Sequence, residues 1–186
     1  MSKTFEKFSD SARLYAKYAS VVDQMHEAFN ANVVDFLQAV HEGFAARVDQ
    51  GVLRAEPSNK YRAWWIEDEE TKGNSYPPFI WTEIGRIEVV NLGQLTFTVA
   101  VENLDEDLQR QLMALESKLR LPSDCKSRKY GKLFAVDISY GKSDPVGSVC
   151  EAGLILMKAI REVEGTVLRQ KAKVRKEKRK SNRNPT

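Results

Sequence analysis

An α+β fold, a mainly antiparallel four-stranded sheet covered by helices and preceded by a long N-terminal helix or helical hairpin, is what this sequence predicts. Three patterns predict it. Leu95, Phe97, Val99 and Val101 alternate with Thr96, Thr98, Ala100 and Glu102, the period of a strand with one apolar face. Leu104, Leu108, Leu112, Leu115 and Leu119 recur every three or four residues, the period of a helix that covers such a face. Finally, Tyr18, Val22, Met25, Phe29, Val33, Phe36, Val40 and Phe44 keep one apolar stripe on one helical face for more than seven turns. That grouping is nearer an eleven-residue repeat than a heptad.

The elements follow in order. Ser9 or Asp10 caps a helix that begins near Ser11, and no proline interrupts 11–50. Unbroken, it is about 60 Å long, too long for a small domain to cover, so it implies a dimer or a complex. Broken around 30–32, it becomes a hairpin. Gly51 ends this region, and 54–60, with Pro57-Ser58-Asn59, reads as linker. Tyr61 to Ile66 reads as a first strand, followed by a solvated loop that opens on Glu67, Asp68, Glu69 and Glu70. Phe79, Trp81, Ile84, Ile87 and Val89 form a less regular second strand, and Asn91-Leu92-Gly93-Gln94 turns it into the third, giving a hairpin. Asn103 and Glu106 have the form of a capping box for the leucine helix, which ends before Pro122. Residues 123–132 read as a loop, Leu133 to Tyr140 as a fourth strand, and Ser148 to Glu164 as a last helix with Gly165 as its C-cap. Three regions result: 1–52 helical, 61–165 the α+β core, and 166–186 a basic tail.

Charge divides the chain more sharply than fold does. The net charge is +3 over 186 residues, yet 169–186 holds nine Lys or Arg and one acid, a net of +8, which leaves −5 for the remainder. A tail so rich in cations and poor in apolar residues attracts phosphate backbones or an acidic protein surface. The expected nucleic-acid contacts are Lys171, Lys173, Arg175, Lys176, Lys178, Arg179, Lys180 and Arg183, helped by Lys126, Arg128, Lys129 and Lys132 of the basic loop. The partners expected are DNA or RNA, an acidic protein, and a second copy through 14–48.

Chemistry is less visible. Cys125 and Cys150 form no CxxC pair, and His26 and His41 lie some 22 Å apart along an unbroken helix, so no metal, cofactor or catalytic group is expected. Cys150 near a helix start reads as packed rather than reactive. Gly141-Lys142-Ser143 resembles the end of a phosphate loop, but Val136 stands where its first glycine belongs. The order α-β-β-β-α-β resembles that of the PD-(D/E)xK nuclease superfamily, which holds a divalent ion with acids on two strands. Glu83, Glu88 and Glu102 stand in those strands, but Asn103-Leu104 follows Glu102 and the lysine of the E-x-K pair is missing. A divergent metal-dependent nuclease-like domain is therefore one alternative. The leading expectation is a non-enzymatic accessory protein that contacts nucleic acid through its tail, and a second alternative is a protein-interaction or immunity-type module using the N-terminal stripe. The first residues, MSKTFEKFSD, contain no apolar leader and no run suits a membrane span, so a cytoplasmic location is expected.

Overall fold

The computed structural model describes residues 9–57, 61–72, 77–83, 94–100, 104–123, 125–130, 133–139 and 144–181. Its elements are α1 (Asp10–Ala45), β1 (Val52–Pro57), β2 (Tyr61–Glu67), β3 (Phe79–Glu83), β4 (Gln94–Ala100), α2 (Glu106–Leu115), a 3-10 turn (Glu116–Lys118), β5 (Cys125–Tyr130), β6 (Leu133–Ser139) and α3 (Pro145–Ser181). The strands form one sheet in the order β1-β2-β3-β4-β6-β5, antiparallel at every step.

The expected sheet of four strands is thus corrected to six, covered by three helices. Both additional strands are edge strands, and that is why their sequences hide them. β1 falls in the expected linker: Leu53 pairs with Ile66 and Ala55 with Trp64, and both pack against the core. Its Pro57 is tolerated at the end of an edge strand, where one side needs no ladder partner. β5 falls in the expected basic loop, with Lys126, Arg128 and Lys129 set opposite Asp137, Ala135 and Phe134. Charged residues are common on sheet edges because they discourage unwanted pairing. The element order, with four strands between α1 and α2 and two after α2, also departs from the α-β-β-β-α-β order on which the nuclease resemblance rested.

β3 and β4 pair antiparallel, as expected of those two strands, while the connection expected to make them a hairpin, with Glu88, lies outside the described residues, as do Asn103 and Gly141 to Ser143. Burial alternates along β4, with Leu95, Phe97 and Val99 buried and Thr96, Thr98 and Ala100 half-buried. On the covered face, Phe44 of α1, Trp64 of β2 and Phe97 of β4 meet at centroid distances of 5.3, 6.1 and 6.0 Å, with Trp64 edge-on to both phenyl rings. Gly153 of α3 sits against this cluster. A Cβ there would lie 2.5 Å from Phe44 Cζ and 3.0 Å from Phe97 Cε2, so close packing accounts for a glycine in mid-helix.

Helix boundaries differ from expectation in informative ways. α1 is one helix without a break, capped by the Ser9 side chain, which accepts from the Ala12 N–H at 3.2 Å. Gly51 takes a φ of 82° at the start of β1, a conformation that favours glycine, rather than capping α1, which ends six residues earlier. α2 is capped by Asp105, whose carboxylate accepts from the Asp107 N–H, and it buries Leu108, Leu112 and Leu115. Proline opens α3, where its missing N–H costs nothing, and the Gly147 N–H donates to Asp144 Oδ1 at 2.8 Å. Gly165, expected to end this helix, is buried inside it, and α3 runs on through the basic segment to Ser181. Among the described residues no helix is long and apolar enough to cross a membrane.

Candidate nucleic-acid interface

Two contacts set the direction of the long helices. Cys150 Sγ lies 3.5 Å from the Val40 carbonyl, and Arg161 donates to the Gln50 carbonyl at 3.0 Å, so α1 and α3 run in the same sense where they touch. Near the start of β2, Arg62 Nη1 donates to Leu37 O and Gln38 Oε1. At its finish, the Glu67 carbonyl packs against Gly51. The N-terminal part of α1 therefore leaves the body where β2 begins, and the C-terminal part of α3 leaves where β2 ends.

Acidic residues hold α3 along this exit. Asp68 accepts from the Glu70 and Thr71 N–H groups at 2.9 and 3.0 Å, and lies 3.7 Å from Arg161. Burial pushes its carboxyl up, but those hydrogen bonds and the guanidinium together hold it below its ordinary value. Glu70 pairs with Arg169 at 2.5 Å. A Cβ on Gly165 would stand 2.9 Å from Glu70 Oε2, so the bare glycine lets that carboxylate lie close to the helix. Lys171 pairs with Asp105 at 2.8 Å, and its ammonium lowers the Asp105 carboxyl. The acidic run expected to be solvated is thus an anchor for α3. Sequence spacing alone did not signal this, because each pair joins residues about 66 to 99 positions apart.

Past Lys171 the anchoring stops. Lys173, Arg175 and Lys176 are exposed and have no ion pair among the described residues. Lys178, Arg179 and Lys180 continue the same helix, while Arg183 lies outside the described residues. The expected tail cations from Lys171 to Lys180 therefore lie along one helical rod, which extends about 15 Å from Lys171 to Ser181 at 1.5 Å per residue. Beside its root is an open groove of about 510 Å³ lined by Asp107, Val167, Gln170, Lys171, Val174 and Arg175.

The second expected group is placed elsewhere. Lys126, Arg128 and Lys129 belong to the outer strand β5, which contacts β6, whereas α3 contacts β2, β3 and β6. Tyr130 pairs with Leu133 at the sheet end from which α3 leaves, and Lys126 lies toward the other end, opposite Asp137. Lys132 lies outside the described residues. By strand register, the last residues of β5 stand at the sheet end from which α3 leaves.

Other candidate groups are structural in their surroundings. Cys150 is buried, and its burial pushes the thiol up to about 11. Cys125 is half-buried on β5. Glu83 is exposed at the end of β3, Glu102 is outside the described residues, and among the described residues no three His, Cys, Asp or Glu side chains are grouped to hold a metal ion.

A further surface is exposed on α1. Leu14, Tyr15, Tyr18, Val21 and Met25 are between 45% and 68% exposed; Tyr18 and Met25 belong to the stripe that buries Val33, Val40 and Phe44 farther along the helix, whereas Leu14 and Val21 lie roughly 100–120° from Val33 about the axis. Compared with models of protein families, with curated proteins and with solved structures, the chain has no significant match.

Proposed function

We propose that this protein is a non-enzymatic accessory factor that contacts nucleic acid through the projecting end of α3. The observation that supports this most is the break in pairing at Lys171. Body acids neutralise Arg169 and Lys171, while Lys173, Arg175 and Lys176 beyond them carry no counter-charge among the described residues. Cations held on a helix and clear of an acidic body favour contact with a phosphate backbone, whose release of counterions drives binding. Ending the chain after Gln170 keeps every described core residue and removes the rod. Binding to labelled DNA and RNA should then be lost at matched salt, whereas unchanged affinity would sink the reading.

The exposed stripe of α1 favours a second, compatible role as an association surface, with a copy of the chain as the simplest partner. Five large apolar side chains exposed within about three turns of α1 are more than scattered surface exposure explains. Light scattering of the nuclease-treated chain tests this: a monomer at tens of micromolar, about the range of weak assemblies, counts against self-association.

A further inference from the structure

The cations of the α3 rod are not confined to one face. Lys171 and Arg175 are four residues apart and share a side of the helix, and so do Lys173 and Lys176, three apart. The step from Lys171 to Lys173 turns roughly 200° about the axis, which sets the two pairs on opposite sides. By position, Lys178 continues the first side and Lys180 the second. A single strand, or any flat anionic surface, would meet only one of these sides and leave the other in water.

Resting on the reading of the rod as a nucleic-acid interface, we propose that its ligand is B-form duplex DNA, whose major groove receives the end of α3. Width and charge both support this. A helix with its side chains is about 10–12 Å across, and the B-form major groove is about 12 Å wide, with phosphates along both walls. Cations on two opposite sides match two walls. At the root, Glu70 and Asp105 neutralise Arg169 and Lys171, so the uncompensated positive charge lies farther along the rod. Duplex RNA has comparable charge but a deep, narrow major groove that side chains do not read, so the DNA–RNA comparison separates groove shape from charge density.

The test uses the full chain with a DNA duplex of about 20 base pairs, the same sequence as duplex RNA, and the single DNA strand, all at one salt concentration. The DNA duplex should bind at least about tenfold more tightly than either alternative. The variants K173Q/K176Q and R175Q/K178Q should weaken DNA binding to a similar extent, each reducing the salt slope by about 1.8. Lys173, Arg175 and Lys176 have no ion-pair partner among the described residues, and circular dichroism of each variant verifies that the helix persists. Equal affinity for both duplexes, or a loss confined to one pair of cations, overturns groove insertion and leaves the nucleic-acid reading standing. Absence of binding to all three probes removes that reading, and the duplex inference with it.

Discussion

Lys171 Nζ lies 2.8 Å from Asp105 Oδ2, and this pair marks where α3 stops belonging to the body. Before it, Arg161 and Arg169 meet Asp68 and Glu70. After it, Lys173, Arg175 and Lys176 have no ion pair among the described residues. The pair therefore sets how many charges the rod offers, and it yields a prediction of direct sign. Asp105→Asn frees Lys171, so DNA affinity should rise about two- to threefold and the salt slope should steepen by about 0.9. Binding isotherms at several salt concentrations check this, and weaker binding by the variant would contradict it.

Gly153 should resist substitution. Alanine is favoured over glycine in a helix by about 1 kcal/mol, but a Cβ here would stand 2.5 Å from Phe44 Cζ. Overpacking of a tight core costs about 1–3 kcal/mol. Gly153→Ala is therefore expected to lose stability on balance, read as a lower urea midpoint.

His41 should make stability depend on pH. Burial, then the charge of Arg62, lowers its pKa from the ordinary 6.5, while Glu42 on the same helix opposes the shift. His41 Nδ1 and Arg62 Nε are both buried without a hydrogen-bond partner among the described residues. With the folded-state pKa depressed, the unfolded chain binds the proton first, so stability falls as pH drops below 6.5 and levels off below the folded-state value. Comparing urea midpoints at about pH 7.5 and 5.5 for the natural chain and for His41→Gln isolates this part, which should vanish in the variant.

The two thiols should differ in reactivity. Cys150 is fully buried with its thiol pushed up to about 11, and Cys125 is half-buried. A thiol reagent at neutral pH should label Cys125 first and Cys150 only as the chain unfolds, because the thiolate is the reacting species. Peptide mapping after partial labelling reads the order.

How much of this was legible in the sequence depended on whether a pattern was local. The β3–β4 pairing and the long helix α1 could be read because alternation and helical spacing are local signals. β1 and β5 could not. An edge strand is held by one ladder to a partner, here β2 and β6, and its own residues need not alternate cleanly. Gly165 looked like a helix end because glycine is common there, but contacts across 99 residues, such as Arg169 with Glu70, carry α3 past it. The cations of the rod were visible as composition. Their division into anchored Arg169 and Lys171 and, among the described residues, unpaired Lys173, Arg175 and Lys176 required the positions of Glu70 and Asp105, which no periodicity in the chain supplies.

The most direct test of the central claim is the salt dependence of duplex DNA binding by the intact chain. Lys173, Arg175, Lys176, Lys178, Arg179 and Lys180 are the cations that the helix α3 carries beyond the anchored root. If all six meet phosphates, a plot of log affinity against log salt should have a slope of about −5. A slope near zero, or a steep slope that persists when the chain ends after Gln170, would contradict the assignment of the interface to α3.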